Sequence, residues 1–167
     1  HAHAMLAVLA LGLGTGTTAE DLRHVRGTNV ARDSGGGTVT VDIPGGAQPR
    51  QVPVLARYEQ LCADLAAAAG TGWIVNPDRD PHLQARAGGV LHQEIKSAQA
   101  VTDAPTLQIS RCRSTWICHH LAAGTRIDVL ATAAGTNHQQ LSTYAQFLAP
   151  AQQADARQML REAGGPG

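Results

Sequence analysis

Apolar residues recur at helical spacing along most of this chain, and glycines separate the runs. Residues 4–13 form an apolar run that predicts a buried helix. Thr17 or Thr18 is placed to cap a second helix, with acidic residues in its first turn. Further helices are predicted over 55–69, 80–100, 107–123, 126–134, 138–148 and, as an amphipathic tail, 151–163.

Two short stretches instead alternate between apolar and polar residues, as strands do. They are residues 38–43 (TVTVDI) and 50–54 (RQVPV), and the turn PGGAQP separates them. This arrangement predicts an antiparallel β-hairpin with a long loop. The fold class is therefore predicted to be mainly α with a small antiparallel β-hairpin sheet.

The composition is typical of one globular domain. The chain has 167 residues, of which 43% are hydrophobic and 16% charged. Its formal net charge is zero, which counts against strong non-specific nucleic-acid binding, since that binding uses many Lys and Arg contacts to phosphates. All basic residues but Lys96 are Arg, which fits either a GC-rich genome or phosphate recognition.

The three cysteines form no CxxC pair, which suits a reduced, cytoplasmic protein without a disulfide framework. The apolar run near the start is too short to span a bilayer and lacks the basic flank of a signal peptide. We therefore expect a cytoplasmic protein without membrane association. The first four residues, HAHA, are left out of the predicted fold.

Two patterns in the sequence suggest a metal site and a phosphate-binding glycine loop, but the spacing of the residues supports neither well. Cys118, His119 and His120 are adjacent on a predicted helix, where neighbours point about 100° apart, so they cannot easily converge with Cys112 on one ion. The glycines of 12–16 (GLGTG) follow a helix rather than a strand and lack a third spaced glycine. We expect no metal and no cofactor.

Four segments resemble the catalytic domain of the tyrosine recombinases, the phage integrase family. They are GTGTTAEDL at 14–22, RQVP at 50–53, SRCR at 110–113 with the long stretch to Gly135, and Tyr144 nine residues later. The resemblance spans roughly residues 5–148 and implies that family's mainly helical fold. Residues 149–167 would form a C-terminal helical tail, which in the family can be exchanged between subunits.

The resemblance implies roles for individual residues. Tyr144 would be the nucleophile that attacks a DNA phosphate, and Arg113 would be the second of two phosphate-binding arginines. Four family positions are substituted in this chain, which makes the site degenerate. The first arginine, the hairpin lysine, a histidine, and a histidine or tryptophan are replaced by Thr18, Gly45, Ser110 and Thr136, respectively.

The resemblance also predicts a DNA-binding surface. Its candidate residues are Arg113, Arg111, Arg50, Arg23, Arg26 and His24. Alternatives remain open: Tyr144 as an ordinary amphipathic tyrosine, Arg113 in a salt bridge or helix-end cap, and Arg111 as a solvated side chain.

Three functions follow from these residues. The leading hypothesis is a DNA-binding, recombinase-like domain whose strand cleavage is impaired or absent, acting in DNA recombination, integration or their regulation, or as a mobile-element remnant. The second is an active but divergent integrase that cuts DNA through Tyr144. The third is a protein-interaction module that kept the fold and lost DNA binding.

Overall fold

The computed structural model describes residues 2–35, 37–46, 48–78 and 107–149, together with 157, 158 and 161. Its strands are β1 (Val30–Arg32), β2 (Val39–Ile43) and β3 (Arg50–Pro53), and short 3-10 segments cover Gly27–Asn29, Ala56–Tyr58 and Thr143–Phe147. Its α-helices are α1 (Ala2–Thr15), α2 (Ala19–Leu22), α3 (Glu59–Ala69), α4 (Ile109–Ala122), α5 (Ile127–Ala134) and α6 (His138–Ser142). The predicted helix over 80–100 and nearly all of the tail over 151–163 lie outside the described residues.

Helix α1 packs through the centre of the core against α4. Val8 and Leu11 are fully buried, as the apolar run predicts. A Cβ added at Gly12 would lie 2.7 Å from the Cβ of Cys112 on α4, so the two helices approach closely at this glycine. The helix therefore continues to Thr15, beyond the predicted end at residue 13, because Gly12 allows packing rather than ending the helix. It also begins at Ala2, so residues 2–4, which were left out of the predicted fold, belong to this helix.

The three strands form an antiparallel sheet in the order β1-β2-β3. Val41 lies opposite Val30 on one side and Val52 on the other. Val39, Val41 and Ile43 are fully buried, so the alternation in β2 does turn one face of the sheet to the core. The predicted hairpin is confirmed, and β1 adds a third strand that was not predicted.

The last described helices follow a chain reversal at Gly135. This glycine ends α5 with φ +61°, a left-handed conformation that favours glycine. Asn137 then caps α6 by accepting a hydrogen bond from the backbone N–H of Gln140. The single helix predicted over 138–148 is split, because the Ser142 and Thr143 hydroxyls donate to backbone carbonyls three residues earlier and compete with the helical ladder.

The predicted fold class is confirmed, since the described chain is mainly helical with one small antiparallel sheet. Among the described residues, no helix is long and apolar enough to cross a membrane. The same residues contain no cluster of three or more His, Cys, Asp or Glu side chains arranged to hold a metal ion. The division into residues 5–148 and a tail of 149–167 stays a prediction.

Candidate functional site

Arg113 on α4 joins the end of α1 to the end of α5. Its Nη1 donates to the carbonyl of Gly16 at 2.6 Å, and its Nη2 donates to the carbonyl of Ala134 at 2.8 Å. A guanidinium has five N–H groups, so three remain without a described acceptor. The side chain is held in place by two backbone carbonyls and can still donate to a further ligand.

Tyr144 lies close enough to Arg113 for the two side chains to interact electrostatically. Burial, followed by the positive charge of Arg50, lowers the pKa of Arg113, while Asp21 and Tyr144 act in the opposite direction. Tyr144 itself is half-buried in the 3-10 segment after α6 and packs on the core. The 3-10 segment that carries Tyr144 packs against α4, the helix that carries Arg113. Their predicted roles in catalysis stay a prediction.

Asp21 and Arg50 form a nearly enclosed ion pair beside Arg113. Arg50 Nη2 lies 2.7 Å from Asp21 Oδ2, its Nη1 lies 3.2 Å from Oδ1, and the side chains are only 5% and 2% exposed. Arg50 also donates to the carbonyls of Ala133 and Gln48. Four of its five N–H groups are thus used, and its charge is balanced within the protein.

The pKa of Asp21 is set by opposing effects. Burial alone would raise it, because a buried carboxylate loses hydration. Hydrogen bonds from Arg50 and from the backbone N–H of Thr18, together with the charge of Arg50, more than offset burial and lower the pKa. Asp21 therefore stays ionised and keeps Arg50 in position.

Thr18, at the position of the family's first arginine, serves as the N-cap of α2. Its hydroxyl accepts from the Asp21 backbone N–H at 3.1 Å, and the Asp21 carboxylate accepts from the Thr18 backbone N–H at 2.8 Å. This reciprocal capping box confirms the predicted cap at Thr18. The side chain stabilises the start of a helix and carries no charge.

The β2–β3 turn rests directly on α2. A Cβ added at Gly45 would collide with the ring of His24, and one added at Gly46 would collide with the carboxylate of Asp21. Gly46 also has φ +79°, a conformation that disfavours residues with side chains. Gly45, which the sequence resemblance aligns with the family's lysine, thus has no space for a longer side chain in this packing.

The two other positions that the sequence resemblance treats as substituted carry neutral groups. Ser110 is exposed in the first turn of α4, and its backbone carbonyl accepts from the hydroxyl of Ser114. Thr136 follows the turn at Gly135, and its hydroxyl contacts the side-chain amide of Gln140. Neither side chain provides a cation or an imidazole.

Of the other predicted DNA contacts, three contact neighbouring residues of the protein and one is exposed. Arg23 and His24 both pair with Glu20 on α2, which balances positive charge there. Arg26 stacks over the Trp73 ring at 4.0 Å and donates to the carbonyl of Thr71, so it anchors the loop after α3. Arg111 is exposed on α4. None of these arrangements involves Arg113 or Tyr144.

An open groove of about 660 Å³ lies between the β2–β3 turn and the junction of α5 with α6. Amide and hydroxyl side chains line much of it, including Gln48, Thr132, Thr136, Asn137 and Gln139. Such neutral groups can donate hydrogen bonds to phosphate and sugar oxygens. The carboxylate of Asp128 also lines the groove. The neighbouring Gly135 lies so close to Arg50 that a Cβ added there would be 2.9 Å from the guanidinium.

Several residues of this site were not predicted from the sequence. Asp21 and Glu20 are seen in the sequence only as first-turn acids of a helix, yet they pair with two arginines, and Glu20 also contacts the ring of His24. Trp116 packs its ring into the space that a side chain on Gly16 would need. The sequence did contain one signal for Asp21. Asp21 and the leucine after it lie in the segment at 14–22 that resembles the family.

No protein-family model matches the chain, and no curated protein matches it. Solved structures do match. The Tn1549 transposon integrase in complex with circular intermediate DNA aligns with a TM-score of 0.53 and 17% identity, over 95% of this chain and 59% of the integrase chain. A point variant of that integrase in complex with transposon right end DNA gives 0.52 and 18%, over 95% and 58%.

The chain spans less than two thirds of the integrase chains that it matches. At this identity the likeness shows the fold alone. The chain therefore has the fold of transposon integrases, as the resemblance in its sequence implies.

Proposed function

We propose that this chain is a DNA-binding domain of tyrosine-recombinase type in which strand cleavage through Tyr144 is impaired or absent. It would act in DNA recombination or integration, or in their regulation. One observation carries the proposal: backbone carbonyls hold Arg113 in place and leave it N–H groups without a described acceptor, while the neighbouring Arg50 is already neutralised by Asp21.

DNA is the ligand that this arrangement fits. A guanidinium that still has N–H groups to donate binds a phosphate oxygen well. The open groove at the junction of α5 with α6 offers further amide and hydroxyl donors for a sugar–phosphate backbone, although the carboxylate of Asp128 also lines it. The integrases of similar fold were solved in complexes with DNA. Because the net charge is zero and several arginines are paired internally, we expect few phosphate contacts and modest affinity.

The proposal of impaired cleavage rests on the residues that the sequence resemblance aligns with the family's catalytic positions. Attack on a phosphodiester concentrates negative charge on the phosphate oxygens, and preorganised donors stabilise that charge. Loss of one such donor typically costs about 2.7–4 kcal/mol of transition-state stabilisation. Thr18 is used as a helix cap, and Ser110 and Thr136 are neutral, so Arg113 would act largely without help.

The salt dependence of DNA binding tests the proposal. The logarithm of the association constant should fall linearly with the logarithm of salt concentration, with a slope of about −0.9 per phosphate contact. Arg113→Gln should weaken binding and make the slope shallower by about that amount, since glutamine can still donate to one carbonyl but carries no charge. The matched control is Arg32→Gln, at an exposed arginine on β1 that is not among the predicted DNA contacts and whose Nη2 lies 3.5 Å from Gln60 Oε1.

Two results would contradict the proposal. Salt-independent binding, or none, would favour the protein-interaction alternative. An affinity and slope unaffected by Arg113→Gln would remove Arg113 from the DNA surface.

The second candidate, an active divergent integrase, is favoured by the proximity of Tyr144 and Arg113. The test is to incubate the protein with a random-sequence duplex pool that carries single-strand nicks. If the protein cleaves DNA through a tyrosine, such a substrate traps the covalent protein–DNA intermediate. We expect little or no adduct. An abundant adduct that disappears in Tyr144→Phe would establish the active enzyme instead.

A further inference from the structure

Trp116 on α4 is a buried side chain that carries an unpaired polar group. Only 2% of the residue is exposed, and its Nε1–H has no hydrogen-bond partner among the residues that the structure describes. A buried donor without a partner lowers stability, because it has lost its hydration and gained nothing in exchange. A phenylalanine at this position would avoid that cost. What the tryptophan provides instead is the second, six-membered ring of its indole.

The six-membered ring of Trp116 lies directly on Gly16, which follows α1. A Cβ added at Gly16 would collide with Cε3, Cδ2 and Cζ3 of the indole, and all three atoms belong to that ring. Gly16 has φ +64°, so this glycine provides both the left-handed conformation and the space that the ring occupies. Phenylalanine has no fused second ring and would leave this contact open.

The same glycine holds the guanidinium of Arg113. The Gly16 carbonyl accepts from Arg113 Nη1 at 2.6 Å. Arg113 lies three residues before Trp116 on α4, a spacing that makes the two side chains neighbours on the helix surface. One helix therefore directs an arginine to the carbonyl of Gly16 and a tryptophan onto its Cα. The His120 imidazole meets the indole edge-on, with the ring centroids 4.5 Å apart, and contacts it as well.

We propose that Trp116 is a positioning residue: its indole holds the backbone at Gly16 so that the carbonyl there fixes the direction of the Arg113 guanidinium. The consequence for DNA rests on the proposed DNA-binding function. A side chain that is already held in its binding conformation loses less conformational entropy when the ligand arrives, so its affinity for a phosphate is higher. The indole itself contacts no DNA and acts only through Gly16.

Trp116→Phe tests the positioning in the absence of DNA. In NMR spectra, the Nη groups of a guanidinium held by two acceptors give separate resonances, and those of a rotating guanidinium merge. The Nη resonances of Arg113, assigned by their loss in Arg113→Gln, should be separate in the wild-type protein and should broaden or merge in Trp116→Phe. The unfolding midpoint should change little, because the lost packing is opposed by removal of the unpaired N–H.

Two control variants separate positioning from general loosening of the fold. Trp73→Phe makes the same substitution at the other tryptophan, whose Nε1 is also unpaired among the described residues and whose ring packs on Arg26. Val41→Ala weakens the core at a fully buried position on β2. Both variants should leave the Arg113 resonances separate.

The consequence for DNA is tested by a double-mutant cycle measured by fluorescence anisotropy. Contacting residues of one network are typically coupled by a factor of about 2 to 150 in an equilibrium constant, so Trp116→Phe should weaken DNA binding by at least about twofold. In the Arg113→Gln background, the same substitution should have an effect of less than about twofold, since there is no guanidinium left to orient. Trp73→Phe should change the affinity by the same factor in both backgrounds.

The outcomes distinguish this inference from the function on which it rests. Arg113 resonances that stay separate in Trp116→Phe, or that merge equally in Val41→Ala, would overturn the inference. An equal loss of DNA affinity in both backgrounds would do the same. If the wild-type protein binds no DNA, the proposed function is overturned, and the Arg113 resonances alone then decide whether Trp116 positions the guanidinium.

Discussion

Asp21→Asn should destabilise the fold strongly, because it removes the counter-charge of an enclosed arginine. Asn preserves the size of the side chain, but the Arg50 guanidinium is only 5% exposed and would lose its ionic partner. Removing one member of a buried ion pair typically costs about 3–5 kcal/mol. Whole domains are stable by only about 5–15 kcal/mol, so the variant should lose a large part of its stability.

Guanidinium chloride unfolding at neutral pH, followed by tryptophan fluorescence, measures the effect. The matched control is Asp42→Asn, at an exposed position on β2. A surface substitution of this kind usually changes the free energy of unfolding by less than about 0.5 kcal/mol. We expect a lower midpoint for Asp21→Asn and nearly the wild-type midpoint for Asp42→Asn.

The pH dependence of the stability difference between wild type and Asp21→Asn is a second, independent test. The pKa of Asp21 is lowered in the folded protein, so its contribution is complete above the unfolded-state pKa of about 3.9 and is lost as pH falls through the folded-state value. The stability difference between wild type and Asp21→Asn should therefore shrink on acidification below about pH 4. A difference under about 1 kcal/mol at neutral pH, or one that grows in acid, would refute the reasoning.

Two further predictions concern a glycine and a cysteine. Gly16→Ala should cost about 2–5 kcal/mol of unfolding free energy, because φ is +64° and the Trp116 ring occupies the space for a Cβ. Gly124→Ala, with φ +76° but nothing within 4 Å, should cost only about 1–2 kcal/mol; equal losses would contradict this account. Burial raises the pKa of the Cys62 thiol to about 12, so iodoacetamide at pH 8 should label it only after denaturation. Peptide mass mapping would detect the label, and rapid labelling of native protein would show that this thiol is accessible.

The sequence predicts best where local rules determine the structure. The apolar run of α1, the cap at Thr18 and the glycine at the end of α5 each follow from side-chain chemistry within one or two turns. The same holds for the alternation in β2, whose buried face matches the apolar positions. Local rules fail for β1, whose three residues carry no periodicity and form a strand because β2 is available to pair with them.

The site was less predictable because distant residues determine it. The sequence offered Arg50 as a DNA contact, and nothing local indicates that its guanidinium meets Asp21, 29 residues earlier. Similarly, spacing related Tyr144 to Arg113 only through the family resemblance, and their proximity depends on the packing of α4 against the segment that follows α6. Residue identity suggested the chemistry, and tertiary packing decided which charges remain available.

The hydrogen bonds of Arg113 also bear on when during folding the surroundings of Tyr144 take shape. One bond closes a span of 97 residues to Gly16, and the other a span of 21 residues to Ala134. Contacts across long spans require loop-closure entropy to be overcome first, so they tend to form late. A partly folded chain could therefore contain α4 and α5 as helices and still lack an oriented guanidinium. The guanidinium is oriented only in the completed tertiary structure. Loosening the chain around Gly16 or around Ala134 would remove one of the two hydrogen bonds that hold it.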